Sequence, residues 1–210
     1  MARLLFLDTE TTSVDHTTGS VLQISCKFYD NGINTKNFNE MLGTDLPNVD
    51  LGALRVNRIP YSTIDSLPQE KFAVKKFVDW VLSLPNSKQD PITIVAHNAA
   101  FDTGFIKALL AKYNITGFEN VVGYRVLDTQ VISRFLNEAG VFKAKSSGLR
   151  DTALALGVQF DELKLHDATI DVQLTADVYF AMIDLLKQKP AQGSTFDDLM
   201  SLTQDPVGAA

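Results

Sequence analysis

The sequence has one cysteine, Cys26, no apolar run long enough to cross a bilayer, and no excess of positive charge. One thiol excludes an internal disulfide framework and fits a reducing compartment. The short apolar runs exclude a membrane-spanning helix. The opening Met-Ala-Arg-Leu-Leu-Phe-Leu-Asp lacks a signal-peptide pattern, because a carboxylate falls at Asp8. The expected location is therefore cytoplasmic, with no membrane partner. Lys and Arg number 19 against 25 Asp and Glu, a formal net charge of −6. Passive nucleic-acid binders neutralise phosphates with a positive surplus, so simple duplex coating is excluded. An enzyme whose site is itself a cluster of carboxylates is not excluded, because such a site takes up cations before it meets a phosphate.

What is present is ordinary for a folded domain. The apolar share is 45% and the charged share 21%. The length of 210 residues suits one domain with a full core and is short for two. No repeat, low-complexity block or long linker interrupts it.

Residues 2–8 read as a short buried strand. Residues 20–29 and 33–41 flank Asp30-Asn31-Gly32, and Asn-Gly is the strongest short hairpin signal. Residues 42–67 contain Gly43, Pro47, Gly52 and Pro60 and read as a loop region. After Pro68 the apolar positions Phe72, Val74, Phe77, Val78, Val81 and Leu82 predict a helix that ends before Pro85. Residues 92–96 read as a buried strand. Asn98 is expected to cap a helix running to about Tyr113. Residues 121–128 read as a fifth strand and 129–138 as a helix. A short helix is expected over 149–156 with Gly157 at its C-terminal end. Asp167 is expected to cap a long helix from Ala168 to about Lys187, and a last short helix falls near 195–202. Three strands followed by alternating helices and strands predict a mixed sheet with helices on both faces. That is an α/β layout of the ribonuclease-H type.

Three short segments carry chemistry. In Asp8-Thr9-Glu10, residues i and i+2 of a strand share a face, so two carboxylates project together. They repel each other, and a hard divalent cation such as Mg²⁺ or Mn²⁺ removes that conflict. A solvated strand end is the bland reading of this motif alone. In His97-Asn98-Ala99-Ala100-Phe101-Asp102, the cap leaves Asp102 in the first helical turn, near the positive end of the helix dipole. There a carboxylate stays ionised and available. His97 by itself reads as a hydrogen-bonded strand-end histidine, and Phe101 as a core residue. In His166-Asp167-Ala168-Thr169-Ile170-Asp171, five helical residues would turn His166 away from Asp171. With Asp167 as the cap, His166 lies in the preceding loop and folds back toward Asp171. A mobile imidazole beside a fixed carboxylate suits proton transfer from an attacking water.

The three segments together are far more specific than any one. On Leu7 through Thr12, Ala96 through Asp102 and His166 through Asp171, with Asp171 through Tyr179 extending the match, the chain resembles the DEDD exonuclease superfamily in its histidine-containing (DEDDh) branch. Within that branch it resembles the proofreading epsilon type of bacterial DNA polymerase III and the exonuclease X type. The resemblance covers roughly residues 3–187. It implies a ribonuclease-H-like mixed five-stranded sheet flanked by helices over residues 1–190, with 191–210 as a short helical tail. It implies that Asp8, Glu10, Asp102 and Asp171 hold two divalent ions, Mg²⁺ or Mn²⁺, and that His166 is the general base. The reaction implied is 3′→5′ hydrolysis at DNA 3′ ends, releasing nucleoside 5′-monophosphates. An exoribonuclease trimming RNA 3′ ends and a proofreading subunit with a DNA polymerase as partner are the alternatives. All five catalytic-type residues are present, which disfavours a non-catalytic binding module on the same fold.

The resemblance also implies that the turn carrying Thr9, Thr11 and Thr12 cradles the terminal nucleotide. Local turn chemistry accounts for these threonines equally well. Asn98 could orient the site, although capping suffices to explain it. Lys143, Lys145 and Arg150 read as a solvated charged loop, with upstream phosphates as the alternative partner. Phe142 is a loop aromatic that could stack on a base. One departure stands out. Related chains carry a His-Gly-Ile element where this one reads Val56-Asn57-Arg58-Ile59, so no base-contact role is carried over. Arg58 is a surface charge or a phosphate contact. Phe196, Leu199, Met200 and Leu202 in the tail fall at helical spacing, which suits packing on the domain or on a partner.

Overall fold

The computed structural model describes residues 2–44, 49–64, 66–86 and 91–188. The helix expected near 195–202 and the tail over 191–210 lie outside the described residues. Strand β1 (Arg3–Thr11) pairs antiparallel with β2 (Val21–Asp30), which pairs antiparallel with β3 (Ile33–Met41). On its other edge β1 pairs parallel with β4 (Ile92–Ala96), and β4 pairs parallel with β5 (Val122–Asp128). The resulting five-stranded sheet has the order β3-β2-β1-β4-β5. The β2–β3 hairpin turns at Asn31 (φ 53°) and Gly32 (φ 83°). Both are left-handed, as a two-residue turn matched to the strand twist requires.

Helices cover both faces. On one, Leu5 and Leu7 of β1 meet Phe77 and Val81 of α3 (Glu70–Leu82) and Phe105 and Leu109 of α4 (Ala99–Lys112). On the other, Leu4 and Phe6 meet Val172 and Ala176 of α7 (Ala168–Lys187). This two-sided burial explains why β1 begins as an unbroken apolar run instead of alternating. A third cluster joins α5 (Thr129–Glu138) and α6 (Leu149–Ala155) to α7 through Leu136, Ala153, Leu174 and Val178. Phe142 belongs to this cluster and is buried, so the stacking role considered for it does not hold. Cys26 is also fully buried. Among the described residues no helix is long and apolar enough to cross a membrane.

Two expectations need correction. Residues 42–67 are not all loop, because α1 (Leu51–Asn57) and α2 (Tyr61–Ile64) fold there. The Asp50 carboxylate caps α1 by accepting from the Gly52 N–H at 2.7 Å. Only Leu54 and Asn57 of α1 are buried, so the helix shows no apolar stripe that periodicity could detect. The second correction is at Asn98, which does precede α4 but makes no side-chain cap. Its backbone is left-handed (φ 68°). The cap comes from Asp128, whose carboxylate accepts from Asn98 N at 3.2 Å and Ala99 N at 2.9 Å. The same carboxylate accepts from Gln130 N at 2.8 Å and Val131 N at 3.2 Å at the start of α5.

Asp128 thus closes two helix N-termini with one side chain. A single cap is worth about 0.5–2 kcal/mol. Asp128→Ala is therefore expected to cost about 1–4 kcal/mol, read as a lower urea midpoint at an unchanged slope. A loss confined to a few tenths would mean that water replaces both caps at no cost.

Candidate active site

The face of β1 that packs on α7 carries Leu4, Phe6, Asp8 and Glu10 in turn, since alternate residues share a face. The side chains change from apolar to acidic where the strand passes beyond the packed part of the helix. There the N-terminal turn of α7 supplies Asp171. The Asp167 carboxylate caps that turn, accepting from Thr169 N at 2.8 Å. Carboxylate oxygens of Asp8, Glu10 and Asp171 all lie within 4.8 Å of one another.

Asp102 approaches from the other side of β1, in the first turn of α4. Its Oδ1 accepts from both the Thr9 N–H and the Thr9 hydroxyl, each at 2.9 Å. It stands outside the close set of three but lines the same cavity of about 220 Å³, together with Asp8, Glu10, Asp171 and His166. His166 sits just before the Asp167 cap with a left-handed backbone (φ 69°). This turns its N–H back onto Asp171 Oδ2 at 3.0 Å. The residue as a whole is exposed, so the ring stands at the mouth of the cavity. Sequence spacing alone put these five side chains in three separate segments, and the fold brings all five to one cavity.

Electrostatically the cluster is under tension. Burial pushes the Asp8 carboxyl well above the usual carboxylate range, and Asp102, Asp171 and Glu10 push it further. Glu10 is raised to about 8 by burial and by Asp171 and Asp102. Asp102 is raised to about 7 by burial, against the lowering effect of the two Thr9 hydrogen bonds. Asp171 is raised by burial, with the His166 N–H acting the other way. Asp171 Oδ1 is buried and has no hydrogen-bond partner among the described residues. A buried carboxylate oxygen without a donor, facing two other acids, fits a hard divalent cation.

The sign of the pH dependence follows from the raised values. The folded metal-free protein holds protons that the unfolded chain releases near pH 4. The cluster's contribution to stability is complete at acid pH and is lost as pH rises through about 7 for Asp102 and about 8 for Glu10. Cations that replace the protons cancel this loss. In chelator the melting temperature is expected to fall from about pH 5 to about pH 8.5, and the gain on adding Mn²⁺ to be larger at the higher pH. An equal gain at both would mean that protons and cations do not compete for these groups.

The neighbouring threonines have internal partners. The Thr11 hydroxyl donates to Ser13 O at 2.7 Å, and the Thr12 hydroxyl accepts from Ser20 N at 2.9 Å. Thr9 and Thr11 line the cavity; Thr12, fully buried, and Asn98 do not. His97 also lines it, with Nδ1 at 3.0 Å from the Thr129 hydroxyl. Burial lowers its pKa to about 4, so its ring is neutral near pH 7. Arg150 pairs with Asp151 and Glu162, and Lys143 and Lys145 are exposed. Arg58 donates to Leu163 O at 2.5 Å. Two residues escaped the sequence reading. Asp128 was placed only as a strand end. Asn57 lies in the stretch that departs from related chains, yet it is buried and lines the cavity. Its position at the end of a seven-residue helix left no local signal.

Comparison with known proteins agrees with this geometry. A protein-family model described as Exonuclease matches residues 5–179. The chain is similar to the DNA polymerase III subunit epsilon of Pasteurella multocida (strain Pm70), with 25% identity over 202 residues, covering 93% of this chain and 72% of that protein. Its fold is similar to that of a moderately thermophilic exonuclease I from Methylocaldum szegediense, with a TM-score of 0.70 at 17% identity over 90% of this chain. E. coli exonuclease I in complex with a dT13 oligonucleotide gives a TM-score of 0.70 at 16% identity over 87% of this chain. The chain spans 41% of the length of each of these two exonuclease I chains. With the matched family reaching from β1 into α7, and with the acidic set and its histidine gathered at one cavity, the chain belongs to the exonuclease family, in its DEDDh form.

Proposed function

We propose that this exonuclease works 3′→5′ on DNA ends and releases nucleoside 5′-monophosphates. The observation that carries the reading is the convergence of Asp8, Glu10 and Asp171, with Asp102 and His166 on the same cavity. Asp8, Glu10, Asp102 and Asp171 would hold two divalent ions, Mg²⁺ or Mn²⁺. Bound there, they would supply the positive charge that an anionic phosphodiester needs to enter and that offsets the charge developing in the reaction. His166, exposed at the mouth, takes the proton of the attacking water and passes it to solvent. Thr9 and Thr11 line the floor beside the terminal nucleotide. Val14 and Val56 are exposed apolar side chains at its rim and suit a nucleobase. Thr12, whose hydroxyl accepts from Ser20 N, and Asn98, whose left-handed backbone starts the turn into α4, support the nucleotide site from outside the cavity.

The likeness to an exonuclease I bound to a dT13 oligonucleotide supports DNA as substrate. A relative named as a subunit of DNA polymerase III supports a DNA polymerase as partner. The test is one panel of 3′-labelled and 5′-labelled single- and double-stranded DNA, with matched RNA, in Mg²⁺, Mn²⁺ or chelator. The 3′ label is expected to leave at once as a mononucleotide, the 5′ label to yield a ladder, and chelator to stop both. Release that begins at the 5′ end, or no release with either metal, defeats the reading. Faster release from RNA would move the substrate to RNA 3′ ends.

A further inference from the structure

We propose that Asn57 is a positioning residue for Glu10, holding the end of β1 in the geometry that lets Glu10 share a cation with Asp8 and Asp171. The inference rests on the reading of these three acids as metal ligands. It starts from an irregularity in the sheet. The β1–β2 register runs Glu10↔Gln23 and then Thr11↔Val21, so Leu22 has no partner across the pair. The Leu22 carbonyl is taken by the Leu42 N–H at 2.8 Å. A bulge of this kind bends the pair and re-aims side chains, and it throws the neighbouring backbone groups out of phase with the ladder.

The Thr11 carbonyl lies next to that break, and Asn57 Nδ2 donates to it at 3.0 Å. Both residues are buried, at 5% and 6% exposure, so water is a poor substitute for the amide. Asn57 Oδ1 accepts from Ile59 N at 3.1 Å. This second bond fixes the orientation of the amide, since a flipped group would set oxygen against the Thr11 carbonyl and NH₂ against the Ile59 N–H. Asn57 is itself anchored. It ends α1, and the next residue, Arg58, closes the helix with its N–H on Leu54 O at 2.9 Å. The Arg58 guanidinium then reaches Leu163 O, in the turn that leads to His166. The corner of α1 is thus tied to the strand end that carries Glu10 and to the segment that presents His166. Asn57 makes no direct bond to Glu10 and acts through one carbonyl. The bond it makes stands one residue beyond a ligand whose aim depends on the bulge.

Groups that orient metal ligands from behind typically alter metal affinity about 10–100-fold when removed. The test is calorimetric titration of Mn²⁺ into wild type, Asn57→Leu and Asn57→Ser without substrate. Initial rates on a DNA oligonucleotide at several Mn²⁺ concentrations accompany it. Leu keeps the volume and removes both bonds; Ser is a smaller, polar replacement that cannot span to the Thr11 carbonyl. Circular dichroism identifies the variants that fold, and the folded ones decide. Expected is about tenfold or more weaker Mn²⁺ binding. Turnover should fall at low Mn²⁺ and recover at high Mn²⁺, with KM for the oligonucleotide within about twofold of wild type. Mn²⁺ affinity within about twofold of wild type in a folded variant overturns the inference and leaves the exonuclease reading standing. No Mn²⁺ binding by wild type overturns both. If wild type binds Mn²⁺ but releases no nucleotide, the exonuclease reading falls, and the titrations still decide whether Asn57 positions the site.

Discussion

Asp8→Asn is expected to lower turnover at least about a thousandfold and, in chelator above about pH 7, to give a protein that melts higher than wild type. The first effect follows from the loss of a ligand. Cation-borne charge stabilisation at a phosphodiester is worth several kcal/mol, and about 1.4 kcal/mol is a factor of ten in rate. The second follows from the forces on Asp8. Burial and four neighbouring carboxylates all disfavour its charge, and every charged group acting on it is another acid. Asparagine keeps the shape and removes the charge, so the cost of burying that charge and its repulsion with the remaining acids are both lost. Function and stability therefore move in opposite directions, as expected where a site holds strain for its ligand. Thermal melts in chelator beside initial rates in Mn²⁺ measure both. Wild-type turnover in this variant would remove Asp8 from the site. Unchanged turnover loss with a lower melting temperature would mean that the carboxylate is held by donors and not repelled.

Much of this was legible because the signals were local. The run Leu4-Leu5-Phe6-Leu7 announces a strand covered on both faces, and Asp8 with Glu10 inherits its period-two geometry. Asn31-Gly32 specifies its turn by backbone permissiveness alone, and Asp167 caps α7 within two residues of itself. The extension of β1 through Thr11, so that both acids lie within the strand, needed the pairing with β2 and could not be read from residues 2–8. What stayed hidden depends on contacts distant along the chain. Asp128 caps a helix that starts 29 residues earlier. Thr9 meets Asp102 across 93 residues, and Asn57 meets Thr11 across 46. No window of sequence contains either pair. Asn98 is the instructive error: a residue type favoured at caps occupied the right position, but its left-handed backbone was used to turn the chain, and a carboxylate from the next strand did the capping. Phe142 shows the opposite failure. Just ahead of Lys143 and Lys145 in a loop it looked exposed, yet it packs in the cluster that joins three helices.

His166→Asn is expected to lower kcat about 10²–10⁴-fold, the usual scale for a positioned general base, with KM for the oligonucleotide within a few-fold of wild type. Asparagine is the informative replacement. His166 has φ 69°, a region that asparagine tolerates and alanine does not. The bond from residue 166 to Asp171 is made by the backbone N–H and survives the change. The variant therefore keeps the turn, the cap at Asp167 and the aim of Asp171, and removes only the ring. Mn²⁺ binding should persist within about threefold, because the close set of ligands is Asp8, Glu10 and Asp171. The pH dependence of kcat should change, because proton removal from the attacking water passes to solvent base. His166→Ala adds backbone strain at the same point, so any extra loss of Mn²⁺ affinity in that variant measures what the left-handed turn contributes to Asp171. A His166→Asn enzyme with wild-type kcat and an unaltered pH profile would assign residue 166 to the turn alone and leave the base to be found elsewhere on the cavity.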